Sequence, residues 1–122
     1  MDALADVLKT IRLHASTYFC SDFNTHWGMD IAHGDSGLFH VIVEGECWVK
    51  IENRDEPIHM KAGDIVAFPT GGAHWISDRP DSKRLAGEAV ANKILNGDNP
   101  FYKADETTTA TQTLLCGAFE YD

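Results

Sequence analysis

Basic side chains are scarce: 10 Lys and Arg stand against 19 Asp and Glu, a formal net charge of −9 with histidine neutral. Such a surface repels phosphate backbones, and no cluster of Lys or Arg interleaved with aromatics offsets it, so no direct contact between this chain and nucleic acid is expected. Cysteine is also sparse. Cys20, Cys47 and Cys116 are odd in number, widely spaced and free of any C-x-x-C pair, which argues against a disulfide framework or a zinc knuckle and suits a reducing, cytoplasmic compartment. No apolar run approaches the roughly 20 residues of a membrane span, and Met1-Asp2-Ala3-Leu4-Ala5-Asp6 carries acid where a signal peptide needs base. Gly71-Gly72 lacks the Lys-Ser/Thr of a phosphate loop. The carboxylates of Glu44 and Glu46 flank a turn glycine, a solvated setting unsuited to paired acid–base catalysis.

What is present is ordinary globular composition. Of 122 residues, 43% are hydrophobic and 24% charged, enough for one core and too little for two full domains. Leu4, Val7, Leu8 and Ile11 recur at helical spacing behind Asp2, a natural N-cap, and predict a short amphipathic helix over about 3–13. From Ser16 the texture changes to short β-branched and aromatic runs punctuated by Gly, Asn, Asp and Pro: 17–23, 27–31, 38–43, 47–52, 57–60, 65–68, 74–77 and 111–119. Short strands at such intervals predict a sandwich or barrel, an all-β fold occupying about 16–78 and 111–121. Residues 79–110 form a lid-like connection whose turn sequences flank Leu85 to Leu95, placing a short helix in the 80–100 region. A single domain over 1–122 is expected.

Glycine at the centre of Glu44-Gly45-Glu46 predicts a hairpin joining Leu38–Val43 to Cys47–Glu52. Alternation then turns Cys47, Val49 and Ile51 inward and groups Trp48 with Lys50 and Glu52. Both faces of Leu38–Val43 are apolar, so both should be covered.

The most informative stretch is Gly63-Asp64-Ile65-Val66-Ala67-Phe68-Pro69-Thr70-Gly71-Gly72-Ala73-His74: a turn, an apolar strand, a Pro-x-Gly turn and a histidine opening the next strand. It resembles the second motif of the cupins, G-x5-P-x-G-x2-H, met at every fixed position by Gly63, Pro69, Gly71 and His74. The resemblance implies a cupin-type β-barrel or jelly roll with His74 aimed inward. In metal-binding cupins a first motif supplies H-x-H and then a glutamate. Here the corresponding strand, Leu38 to Gly45, lacks the histidine pair and has Leu38 about where the glutamate belongs. His40 and His74 remain as an inward-facing pair on neighbouring strands.

The whole chain further resembles the N-terminal cupin domain of AraC-type transcription regulators. The likeness rests on Asp6-Val7-Leu8, Trp27-Gly28, Phe39 to Trp48, Ala62 to Val66, Gly72-Ala73-His74 and the closing Leu115 to Asp122. Such domains bind an effector or dimerise while a separate helix-turn-helix domain, absent from this chain, binds DNA. The expectation is therefore a non-enzymatic sensing or dimerisation domain, a homodimer whose cavity is lined by His40, Ile42, Cys47, Val49, Phe68, His74 and Trp75. The rival is a small metal-dependent enzyme (dioxygenase, isomerase or hydrolase). It would hold Zn, Ni or Fe on His40 and His74 with Cys47 or Cys116 as third ligand. A third reading is an interaction module built on the outer face around Phe39 and Val41. His14, His26, His33 and His59 are expected to be solvated, and Cys116 to pack as a small hydrophobe.

Overall fold

A computed structural model describes residues 13–104 and 112–121. The strands are β1 (Leu13–Phe23), β2 (Gly28–Ile31), β3 (Gly37–Glu44), β4 (Glu46–Ile51), β5 (Ile58–Lys61), β6 (Ile65–Phe68), β7 (His74–Ser77), β8 (Leu85–Ala86) and β9 (Gln112–Tyr121), with helix α1 (Gly87–Leu95) between the last two. Each of the eight runs expected from composition holds a strand, and the short helix lies inside the 80–100 region. The opening helix expected over 3–13 lies outside the described residues except for Leu13, which begins β1.

The strands form two sheets, β1-β9-β3-β6 and β5-β4-β7-β2-β8. Their inner faces pack on one another as a jelly roll rather than closing into a continuous barrel. The core between them holds Phe19, Phe23, Trp27, Met29, Ile42, Cys47, Val49, Met60, Phe68, Ile76, Leu114 and Cys116. A second cluster, Phe39, Leu115 and Phe119 with Val41 beside it, lies on the outer face of the first sheet. Both faces of β3 are thus covered over most of its length, although Val43 is exposed.

The hairpin expected around Gly45 does not form. β3 pairs with β6 and β9, and β4 pairs with β5 and β7, so the two strands belong to different sheets. Gly45, at φ 85°, turns the chain through a corner instead of reversing it, a conformation that glycine adopts without steric cost. The same holds for the Pro-x-Gly turn. β6 and β7 lie in opposite sheets, and His40 and His74 meet across the sandwich, not from neighbouring strands.

Segment 79–104 is packed down. Asn24 and Thr25 donate their backbone N–H groups to the Phe101 carbonyl at 3.0 and 3.2 Å, and the Phe101 ring meets Phe23 edge-on. α1 buries Val90 completely, a contribution of roughly 1.5–3 kcal/mol. It rests against β1 and β2.

Candidate functional site

Register places His40 opposite Cys116 on the neighbouring strand β9, while β7 delivers His74 from the facing sheet. The four groups form one chain of short contacts: Cys116 Sγ to His40 Nδ1 at 3.0 Å, His40 Nε2 to His74 Nε2 at 2.8 Å, and His74 Nδ1 to the Gly72 carbonyl oxygen at 2.8 Å. The last link fixes the rest. A carbonyl only accepts, so His74 Nδ1 carries the proton and its Nε2, in the neutral ring, is an acceptor. His40 must then donate from Nε2 and accept at Nδ1, which makes Cys116 a thiol donor.

Burial keeps every member uncharged. His40 is 4% exposed, and desolvation, aided by repulsion from His74, lowers its pKa to about 3. Desolvation also lowers that of His74, partly opposed by its bond to the Gly72 carbonyl. Burial raises the Cys116 thiol well above its ordinary range, with Cys47 and Cys20 adding smaller electrostatic contributions. The His74 ring is clamped flat against Phe68, with centroids 3.6 Å apart and planes 5° from parallel.

Beside this chain lies a cavity of about 480 Å³, within the size range of small-molecule sites. Its inner wall is Phe19, Met29, Leu38, His40 and Cys116. α1 closes one side through Gly87, Glu88, Ala91, Asn92 and Leu95, and Tyr18 with the Ile31–Gly34 segment forms the rest of the mouth. Leu95 is a large aliphatic left 65% exposed at that mouth.

Of the residues expected to line a cavity, His40 does so. His74 and Phe68 sit behind it as its hydrogen-bond partner and the ring stacked on that partner. Ile42, Cys47 and Val49 are part of the packed core. The Cys47 thiol is pushed up to about 12, by burial first and by Asp64 and Glu46 next. Trp75 lies away from the cavity, with the Arg84 guanidinium 5.0 Å from its ring centroid. His33, expected to be solvated in a loop, borders the mouth. Of the other histidines, His26 bonds Asp78 and Arg79, and His59 stacks on Trp48. Sequence reasoning missed Tyr18, Met29 and the α1 residues, because five separate segments line this cavity and no local spacing marks them.

The donor geometry does not fit a metal centre. Two imidazole nitrogens sharing a tetrahedral ion at 2.0–2.1 Å stand about 3.3 Å apart, whereas these are 2.8 Å apart along a hydrogen bond. Cys116 is bound to the opposite nitrogen of the His40 ring and so cannot share an ion with Nε2. Among the described residues no group of three His, Cys, Asp or Glu side chains is placed to hold one.

The chain is similar to an uncharacterised HTH-type transcriptional regulator of Haemophilus influenzae, with 24% identity over 99% of this chain and 39% of the relative. It is also similar to the HTH-type transcriptional regulator AlkR of Acinetobacter baylyi, with 28% identity over 70% of this chain and 28% of the relative. The chain therefore spans less than two-fifths of the length of either. An HTH_3 family transcriptional regulator from Vibrio cholerae shares the fold, with TM-score 0.50 and 9% identity over 93% of this chain and 46% of that one. The Cupin_6 family model, described as Cupin, matches residues 2–122. With that match across both sheets, and the Gly63–His74 motif placing His74 in the core, the chain belongs to the cupin family.

Proposed function

We propose that this domain is the effector-sensing part of an AraC-type transcriptional regulator and that a small molecule with a largely apolar body occupies the cavity under α1. The observation that carries this reading is the cavity itself, walled on one side by a short helix and on the other by a sandwich whose buried polar side chains, among the described residues, are internally satisfied. A ligand changes the regulator only through unequal affinity for two arrangements. α1 is the element suited to differ between them, since its side chains form one wall of the cavity and Val90 is its one fully buried anchor. DNA contact belongs to a partner domain of opposite charge, not to this acidic surface.

The test is thermal denaturation of the native chain and of Ala91→Trp, which fills the cavity, against a broad metabolite set. An effector at a hundred times its Kd stabilises by about 2.7 kcal/mol and raises the midpoint by several degrees in the native chain alone. If no member of the set shifts the native chain, the reading fails.

Homodimerisation is a second reading, favoured by the edge strand β6. There Ile65 is 52% exposed, and Val43 on the adjacent β3 is exposed as well. Sedimentation of the native chain against Ile65→Lys tests it: a dimer that becomes monomeric in the variant supports the reading.

A further inference from the structure

The polar groups of the cavity are unevenly placed. Its deep wall offers no free hydrogen-bonding group of strength, because both His40 nitrogens are committed, Nε2 to His74 and Nδ1 to the Cys116 thiol. The thiol in turn donates its only proton to His40. Around these two residues the inner wall is Phe19, Met29 and Leu38. A charged or strongly polar group driven to that depth would lose its water and gain no partner, which is costly. The apolar part of an occupant therefore points inward and its polar end stays at the mouth.

At the mouth one carboxylate stands among groups that both donate and accept hydrogen bonds. Tyr18, His33, Glu88 and Asn92 border it, and among the described residues none of these side chains has a hydrogen-bond or ion-pair partner. Among the described residues no lysine or arginine lines the cavity, and Glu88 is the one carboxylate there, within a chain of net charge −9. Arg84, close to β2, is already committed to Asp30 at 2.7 Å and to the Trp75 ring. A carboxylate or phosphate at the mouth meets the Glu88 carboxylate with no lysine or arginine among the described lining residues to offset it. An ammonium group meets a carboxylate, and the amide oxygen of Asn92 and the hydroxyl of Tyr18 can accept its remaining protons.

We infer that the cavity takes an apolar amine, its hydrocarbon body against Phe19, Met29 and Leu38 and its ammonium group at Glu88. This rests on the effector reading and sharpens it to a ligand class. The probes are octylamine, octanol and octanoate, which share one chain and differ in head-group charge. They are titrated calorimetrically into the native chain and into Glu88→Gln at pH 8, above the ordinary imidazole range. The native chain binds the amine about threefold more tightly than the alcohol and about tenfold more tightly than the carboxylate, the scale expected of one partly solvated ion pair and one repulsion. Glu88→Gln brings amine and alcohol to within twofold and leaves the alcohol unchanged. Alcohol or carboxylate binding as tightly as the amine overturns the assignment while leaving a cavity that accepts small molecules. An amine preference that survives in Glu88→Gln overturns it too, since the charge would then be read elsewhere. If none of the three binds, the class is wrong, and the effector reading stands or falls on the broad metabolite set.

Discussion

At the scale of the residue, the buried imidazoles set a sign for pH dependence. An unfolded chain protonates its histidines near 6.5, whereas folded His40 resists protonation until about 3. Between these values the unfolded state binds more protons, so stability falls as pH is lowered. The contribution is absent above about pH 7, and well below 6.5 it approaches about 1.4 kcal/mol per pH unit for His40 alone. His74, also lowered, adds to it. Urea denaturation at pH 7.5, 6.0 and 5.0 should show this decline. The double variant His40→Phe/His74→Phe, which replaces both partners by apolar rings, should flatten it. An unchanged slope in the double variant would show that the decline comes from other groups. The same contacts predict indifference to chelation: dialysis against EDTA leaves the thermal midpoint in place, and a loss of several degrees would restore a metal to the site. His74 was legible in the sequence because a spaced motif fixes its turn. The bond from Cys116 to the far nitrogen of His40 was not, because it depends on the pairing of strands 76 residues apart.

Elements show where local signals stop being decisive. Strand positions were readable because apolar and β-branched runs end at Gly, Pro, Asn and Asp. The partners of β3 and β4 were not, since a glycine with positive φ serves a hairpin and a corner between sheets equally well. The turn after β6 gives a direct test of how closely these corners are packed. Gly71 has φ 71°, and a Cβ there would lie 2.4 Å from the Gly34 carbonyl oxygen and 2.7 Å from that of Ser36. Both are backbone atoms held partly by the Gly34 N–H bond to the Gly71 carbonyl at 2.9 Å. Gly71→Ala should therefore cost more than about 2 kcal/mol, strain and clash together. Gly63, at φ 95° with open space around it, isolates the backbone component, and Gly63→Ala should cost about 1–2 kcal/mol. Chemical denaturation of the two variants distinguishes them, and equal losses would refute the packing argument. Because Gly34 also borders the cavity mouth, the turn that presents His74 and the wall that would meet a ligand share this contact.

For the whole molecule, charge is the property read most securely from composition. With a net charge of −9, the isolated chain should show no retention on a DNA column at about 50 mM salt, where proteins that neutralise several phosphates bind strongly. Measurable retention would contradict the assignment of DNA contact to another domain. Fold class was equally open to reading, whereas the cavity was not, because it arises only when α1 is laid against β1 and β2. One feature of the topology bears on how such a molecule is made. β9, the last strand in sequence, lies in the middle of its sheet with β1 on one side and β3 on the other. During synthesis, then, the early strands wait without their shared neighbour, their edges open to mispairing, until Gln112–Tyr121 clears the ribosome. Assembly of that sheet depends on distant contacts, and refolding from denaturant should accordingly be slow for a chain of this length.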